Sequence, residues 1–251
     1  MKVVTFNSRY DEPRDGINRF EYTKPFILEK IEQEKPDVIG FQEVLPEMLA
    51  WYKQALKDYM VLGCGREDDL TGETAAVAYK RDRFNLMQME TFWLSPTPMV
   101  PGSRYEEQSD CPRTCTMLLL HDLETGLVFR VYDTHLDHEG EEARVLGISQ
   151  ILHQMEIQTL FPNAPALLMG DFNAFPHEKV FKDCVEHGLT ELTKDAKGTF
   201  HAFGRILPGE KIDYIFGTDE FVCKSCDLWD DTKDGLYLSD HFPVCIEVEV
   251  K

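Results

Sequence analysis

The chain lacks any long apolar run and any recognisable leader. No stretch of its 251 residues is apolar over the ~20 positions that a membrane-spanning helix needs. The sequence begins directly with a short strand-like segment, so no signal peptide is recognised. We therefore expect no membrane span and a cytoplasmic protein, although a processed, exported chain would look the same.

Blocks of basic residues are also absent. The chain carries 26 lysines and arginines against 45 aspartates and glutamates, which gives a formal charge of −19. It has no strip of alternating basic and aromatic residues that would follow a phosphate backbone and stack bases. The composition predicts no stable nucleic-acid complex, but a bound divalent ion would invert the local potential and leaves cleavage of nucleic acid open.

The seven cysteines form no recognisable framework. Their number is odd, their positions are scattered, and Cys223-x-x-Cys226 has no second pair to complete a zinc site. We expect neither a disulfide network nor a zinc or redox motif, and we interpret the other five cysteines as small buried side chains.

What is present is enough apolar material for a sizeable core. Hydrophobic residues make up 43% of the chain, and no repeat or low-complexity segment divides it, so we predict one α/β domain over residues 1–251. Apolar spacing predicts helices at residues 23 to 34, 46 to 56 and 141 to 160. Apolar runs predict strands near residues 75 to 80, 84 to 92, 115 to 121, 127 to 133, 166 to 170, 212 to 217, 222 to 228 and 243 to 249.

The most informative motif is Gly170-Asp171-Phe172-Asn173, which closes an apolar run at residues 166 to 169. In an extended segment Asp171 and Asn173 point to the same side. A carboxylate and an amide in this arrangement suit a hard divalent cation and a water or phosphate oxygen. For this motif alone, an Asx turn at a strand end is the alternative interpretation.

Further polar groups follow or interrupt predicted strands. They are Asn7, Gln42-Glu43, the segment Asp133-Thr134-His135-Leu136-Asp137-His138, Asp213, and the motif Ser239-Asp240-His241. Ligands of α/β proteins bind outside the carboxyl ends of the strands. The set therefore predicts a catalytic rim, and a metal-assisted hydrolase is the first hypothesis.

In this order and at these intervals, the motifs make the chain resemble the endonuclease/exonuclease/phosphatase superfamily over nearly its whole length. The resemblance implies a four-layer α/β sandwich, similar to deoxyribonuclease I, in which two mixed sheets pack face to face with helices outside. It also implies hydrolysis of phosphoester bonds with Mg²⁺ or Mn²⁺ as cofactor. One metal or two is left open.

The resemblance further implies a role for each motif residue. Glu43 would be the main metal ligand, with Asn7 and Asp240 completing or supporting the site. A carboxylate would thus hold a cation that neutralises phosphate oxygens.

The remaining motif residues would act on water and on the phosphate. Asp171 and Asn173 would orient and activate water, His241 would pair with Asp213, and His135 would face the scissile phosphate. Either Asp171 or His241 is the general base, because an imidazole held by an acid is also suited to clamp a phosphate as a cation.

For several residues near these motifs, the sequence allows more than one interpretation. Arg113 either forks onto a phosphate or is a surface arginine. Strand alternation would place Asp137 on the same face as His135 and His138 on the opposite face. His201, between aromatic residues, is interpreted as a core or rim histidine, with a substrate contact as the alternative.

Three loops, at residues 11 to 22, 63 to 74 and 95 to 112, are candidates for shaping specificity. A phosphodiesterase is slightly favoured, because more of the resembled subfamilies cut diesters. The alternatives are a phosphomonoesterase on sugar or inositol phosphates, a sphingomyelinase-like enzyme at a membrane, and a phosphate-binding module without catalysis. The acidic charge favours a small phosphoester or headgroup over long nucleic acid.

Overall fold

A computed structural model describes residues 1–251 as fourteen strands, four α-helices and one 3₁₀ helix. The strands are β1 (Lys2–Asn7), β2 (Val38–Val44), β3 (Tyr59–Leu62), β4 (Thr74–Lys80), β5 (Phe84–Trp93), β6 (Thr114–Asp122), β7 (Val128–His135), β8 (Ala166–Asp171), β9 (Thr190–Glu191), β10 (Asp213–Gly217), β11 (Phe221–Leu228), β12 (Thr232–Lys233), β13 (Leu236–Tyr237) and β14 (Val244–Val250). The helices are α1 (Phe20–Glu34), α2 (Pro46–Ala55), α3 (Glu141–Glu156) and α4 (Lys179–Glu186), and the 3₁₀ helix covers Pro13–Asn18.

Twelve strands form two mixed six-stranded sheets. The first sheet has the order β11-β14-β1-β2-β4-β3 and the second the order β5-β6-β7-β8-β10-β9. β1 and β2 run parallel, as do β7 and β8, whereas the other neighbours are antiparallel. β12 and β13 form a separate small hairpin.

The four layers follow from alternation along the strands. Val3 of β1 and Leu167 of β8 point between the sheets and share one buried cluster. Their neighbours Val4 and Leu168 point outward into two other clusters, which α1 and α2 cover on the first sheet and α3 and α4 on the second. Strands buried on both faces read as continuous apolar runs, which is why these were visible in the sequence. The predicted four-layer α/β sandwich is confirmed.

Helix boundaries and short elements differ from the predictions. α1 begins at Phe20 rather than at residue 23, and residues 13 to 18 of the predicted loop form the 3₁₀ helix. α3 ends at Glu156 rather than at residue 160, because the apolar side chains of Ile157 and Leu160 face solvent instead of the core. The sequence prediction also missed α4 and β3, which are only eight and four residues long.

The sheet register brings the polar motifs together at one edge of the sandwich. Asn7 pairs with Gln42 at the ends of β1 and β2, and His135 pairs with Asp171 at the ends of β7 and β8. Asp213 is the first residue of β10 rather than an interior residue, and it reaches this edge because β10 runs antiparallel to β8. None of the helices combines the length and apolar character needed to cross a membrane.

Candidate active site

Glu43 is directed into the site by a β-bulge. The pairing of β2 with β4 shifts register between Phe41 and Val44, and Glu43 adopts a left-handed φ of +61°. Such bulges re-aim a side chain, and a non-glycine residue in this conformation is strained. The Glu43 carboxylate accepts hydrogen bonds from Asn7 Nδ2 at 3.0 Å and from the Tyr10 backbone N–H at 3.1 Å.

Asn7 connects the two sheets at the site. Its side-chain amide nitrogen donates to Glu43 on the first sheet and to Asp171 Oδ2 on the second, at 2.9 Å. Its oxygen accepts from the backbone N–H of Arg9 at 3.0 Å. In this conformation the amide supports both carboxylates, and it would have to turn to offer its oxygen to a cation.

Two glycines allow the close approach of backbone segments that brings the side chains of the site together. Gly170 has φ +145°, and a Cβ there would fall 2.9 Å from the Thr134 carbonyl carbon and closer still to its oxygen. At Gly40, directly below the site, a Cβ would fall 2.6 Å from Met169 Sδ and closer still to Asp133. Any larger residue would therefore separate β8 from β7, or one sheet from the other.

His241 is surrounded by carboxylates. Its Nδ1 lies 2.8 Å from Asp213 Oδ2, and its Nε2 lies 3.8 Å from Asp171 Oδ2. Burial disfavours the charged imidazole, but Asp213, Asp171 and Asp240 outweigh burial and raise the pKa of His241 to about 10. Burial, followed by the charge of Asp213, raises the pKa of Asp171 to about 7. The predicted pairing of His241 with Asp213 is present in the structure.

His135 and Asn173 lie beside Asp171. Asn173 has a left-handed φ of +46°, its N–H donates to Asp171 Oδ1 at 2.9 Å, and its Nδ2 lies 3.0 Å from His135 Nε2. This is the Asx turn that was the alternative interpretation of the motif, and it is part of the same site. Burial, then the charges of Arg113 and Arg66, lower the pKa of His135 well below its usual value. A neutral imidazole accepts from Asn173 at Nε2 and carries its proton on Nδ1.

The structure excludes a surface position for Arg113 and shows where its neighbours lie. Arg113 is 4% exposed, so it is not a surface arginine; its Nη2 lies 2.9 Å from His138 Nδ1, and it lines the same small recess as Glu43 and His135. The strand-alternation argument for Asp137 and His138 was wrong, because β7 ends at His135 and both residues lie in the following turn. There Asp137 accepts hydrogen bonds from the Gly140 and Glu139 N–H groups and from Ser109, so it holds the loop together.

His201 is a core histidine, as one interpretation of the sequence had it. It is fully buried, its ring stacks on Phe242 with centroids 3.7 Å apart, and its N–H donates to the Asp240 carbonyl at 2.9 Å. Burial, followed by the charge of His241, lowers the pKa of His201 to about 4. The backbone N–H of His201 therefore supports Asp240 from behind, while its neutral ring packs on Phe242.

Three charged residues at the site were not predicted: Arg9, Arg66 and Glu73. Arg9 lies between the acids, with Nη1 3.8 Å from Glu43 Oε2 and Nε 3.7 Å from Asp240 Oδ2. Glu73 pairs with Arg66 at 2.6 Å and lies 3.9 Å from His135 Nδ1. Burial, then the charge of Glu43, raise the pKa of Glu73. Glu73 precedes a strand instead of following one, so a search of strand ends could not find it, although it ends the acidic loop at residues 63 to 74.

The oxygen donors at this edge fit a hard divalent cation. Burial raises the pKa of Asp240, and the charge of Glu43 adds to this effect, against the opposing charges of His241 and Arg9. A cation bound between Glu43 and Asp240 would relieve the repulsion between these two carboxylates. Asp171, Asp213 and His241 also bring three potential ligand atoms within 4.8 Å of one another. Asp213 Oδ1 is buried without a hydrogen-bond partner. Carboxylates from both sheets are therefore available to such an ion.

A four-layer α/β sandwich with acids and histidines at one edge of both sheets defines the deoxyribonuclease I-like class of proteins. Within that class, the chain belongs to the Endonuclease/Exonuclease/phosphatase family, whose model matches residues 4–241. Members of this family are generally hydrolases that act on phosphoester bonds. The family resemblance inferred from the motifs is thereby confirmed.

Solved structures agree with this assignment. An endonuclease/exonuclease/phosphatase from Bacteroides vulgatus is 32% identical with a TM-score of 0.94, covering 100% of this chain and 98% of that one. A mannosyl-6-phosphatase from Bacteroides thetaiotaomicron is 29% identical with a TM-score of 0.90, covering 99% of each chain. The catalytic domain of human Nocturnin, with bound sulfate, is 21% identical with a TM-score of 0.79, covering 100% of this chain and 93% of that one, and shows the shared fold.

Proposed function

We propose that the protein is a divalent-metal-dependent phosphoester hydrolase that uses Mg²⁺ or Mn²⁺. The observation that carries the proposal is the Asn7 amide, which holds Glu43 of one sheet and Asp171 of the other at 3.0 and 2.9 Å. Carboxylates gathered this closely in a buried site are costly unless charge is bound or protons are moved there.

The metal would be held by Glu43 and Asp240, with Asn7 supporting or completing the site. When bound, it would supply positive charge to the phosphate oxygens and to the attacking water. The alternative cluster of Asp171, Asp213 and His241 suits a metal less well, because His241 Nδ1 is already engaged with Asp213 at 2.8 Å.

The protein's own groups would orient and deprotonate the water. We assign the general base to Asp171, whose Oδ2 lies within 4 Å of His135 and His241 and is oriented by Asn7. His241, facing three carboxylates, serves as a cationic clamp on the phosphate. Neutral His135, Asn173 and buried Arg113 would contact the phosphate from the second sheet.

As substrate class we propose phosphomonoesters of sugars. The similarity to a mannosyl-6-phosphatase extends over 99% of both chains at 29% identity, which supports a monoester ahead of the diesters that the motifs slightly favour. The net charge of −19 likewise supports a small phosphate over long nucleic acid.

We also propose that residues 1–251 form one catalytic domain, because both sheets contribute to the rim. All seven cysteines are unpaired, which supports a reducing compartment such as the cytoplasm.

The test compares mannose 6-phosphate with bis(4-nitrophenyl) phosphate, each with Mg²⁺, Mn²⁺ or EDTA. Glu43→Gln and Asp171→Asn, purified in parallel, are the controls for contaminating phosphatases. We expect monoester turnover that disappears with EDTA and in both variants. Faster turnover of the diester would contradict the substrate class, and equal turnover in Glu43→Gln would contradict the metal site.

A further inference from the structure

A polar cavity of about 560 Å³ adjoins the candidate active site. Arg9 forms their common wall: its guanidinium lies within 4 Å of Glu43 and Asp240 on one side and lines the cavity on the other. The volume lies in the range of small-molecule sites. A group bonded to a phosphate at the acids could therefore extend past Arg9 into this space.

Two segments build the remaining walls. The 3₁₀ helix and its N-cap contribute Glu12, Arg14, Asp15 and Asn18, and a tight turn contributes Phe203 and Arg205. Ala202, Phe203 and Gly204 follow one another with φ of +49°, +57° and +78°. Two consecutive non-glycine residues in this region are strained, and strain of this kind concentrates at ligand sites.

The turn is fixed to the active site and to the 3₁₀ helix. The Ala202 N–H donates to the Asp240 carbonyl at 3.1 Å, so the turn begins at a proposed metal ligand. Tyr237 packs directly against Gly204, and its N–H donates to Asn18 Oδ1 at 3.0 Å. The cavity walls are therefore held at a defined distance from the acids.

The cavity offers unused groups of both hydrogen-bonding types. Arg205 forms no ion pair in this acidic protein, and only its Nε is engaged, with the Ala202 carbonyl at 2.8 Å. Asn18 Nδ2 makes no hydrogen bond within the protein, and Asp15 uses only Oδ2, for Arg9 at 2.9 Å. Donors and acceptors side by side match hydroxyl groups, each of which both donates and accepts.

Phe203 adds an apolar surface to this set. A pyranose ring presents C–H groups on its faces and hydroxyls at its rim, so one aromatic ring among polar side chains is a suitable wall for it. Two of the three arginines in the lining are paired with acids, Arg14 with Glu12 at 2.8 Å and Arg9 with Asp15 at 2.9 Å. Only Arg205 is left without an acidic partner, and a polyanionic occupant such as a nucleoside polyphosphate would need more free cations than this one.

We propose that this cavity is the leaving-group subsite and binds the sugar ring of a hexose 6-phosphate. The inference rests on the proposed phosphomonoesterase activity and identifies the residues that select the sugar. Arg205, Asn18 and Asp15 contact hydroxyls, and Phe203 contacts a ring face, while the phosphate lies at the acids beyond Arg9.

The experiment measures kcat/KM for mannose 6-phosphate, ethyl phosphate and adenosine 5′-monophosphate. Arg205→Ala and Phe203→Leu are compared with Arg81→Ala, which removes an exposed arginine at the opposite end of β4. We expect the ratio of the mannose 6-phosphate to the ethyl phosphate value to fall about tenfold in each cavity variant, equivalent to about 1.4 kcal/mol. Arg81→Ala leaves both values unchanged.

An unchanged ratio in both cavity variants overturns the subsite even where the wild type hydrolyses sugar phosphates. Preference for adenosine 5′-monophosphate over mannose 6-phosphate overturns the sugar class. If no substrate turns over, the proposed function fails separately, and the subsite is decided by saturation-transfer NMR of mannose 6-phosphate. Binding that is lost in Arg205→Ala supports the subsite, and absent or equal binding refutes it.

Discussion

Replacing Gly170 by alanine should disrupt the close contact between β7 and β8, which places His135 and Asp171 side by side in the site. Alanine at φ +145° is strained by roughly 1–3 kcal/mol. In addition, its Cβ would meet the Thr134 carbonyl, which is backbone and cannot move aside as a side chain does. We expect a total loss of at least about 3 kcal/mol, a large fraction of the roughly 5–15 kcal/mol that stabilises a typical domain.

Gly126→Ala is the matched control. Gly126 also has a positive φ, +78°, but a Cβ there would meet no atom within 4 Å. Its strain is partly offset by the reduced entropy of the unfolded chain, so we expect a loss of about 1 kcal/mol or less. The difference between the two variants contains the contact with β7 and the greater backbone strain at φ +145°, both of which arise from the close approach of β8 to β7.

Urea unfolding followed by circular dichroism gives both free energies, and equal m-values show that the comparison is sound. The folded fraction of Gly170→Ala should also lose about 100-fold in kcat/KM, because Asp171 follows directly and a displacement of about 1 Å is costly. If Gly170→Ala costs no more stability than Gly126→Ala, the argument from close approach is refuted.

Three further predictions concern charge. Glu43→Gln should abolish high-affinity Mn²⁺ binding measured by electron paramagnetic resonance while the far-ultraviolet spectrum stays native; retained binding would exclude Glu43 as a ligand. In Asp213→Asn the pKa of His241 should fall from about 10, because burial remains while its main acidic partner is lost. The stability from that pair is full below about pH 6.5 and is lost as pH rises through about 10, so the variant should show a flatter stability profile over this range by urea unfolding. Asp37 has a pKa lowered by Lys80 and other donors against the opposing effect of burial, so its stabilisation is present above about pH 4 and lost in more acidic solution. Asp37→Asn should cost about 1–3 kcal/mol at pH 7, and an equal cost at pH 2.5 would contradict the ion-pair explanation.

The residues that could be predicted from sequence are those that follow strands. Asn7, Glu43 and Asp171 each close an apolar run, and the parallel pairs β1–β2 and β7–β8 bring such ends together. Doubly buried strands are long apolar segments, so the strands themselves were visible, whereas their arrangement in four layers was implied by the family resemblance.

The residues that could not be predicted depend on antiparallel pairing and on loops. Glu73 lies directly before β4, and Arg9 reaches the acids through a left-handed backbone conformation at φ +54°. The predicted orientation of Asp137 was wrong because strand alternation stops at His135, after which a turn sets the direction of the side chain. The predicted end of α3 was wrong because apolar residues such as Ile157 remain exposed. The spacing of apolar residues does not reveal which of them are buried by the rest of the fold.

The position of β14 in the first sheet has a consequence for how the chain folds during its synthesis on the ribosome. β14 is the last strand in chain order, yet it lies between β11 and β1 in the interior of the first sheet. Until it emerges, β1 pairs with β2 on one side only and exposes its other edge, a template for association between nascent chains. Asp240 and His241 lie just before this strand. A nascent chain that lacks β14 therefore has an unpaired edge at β1 and an incomplete candidate active site. Any activity of this site would appear only after β14 has paired with β1.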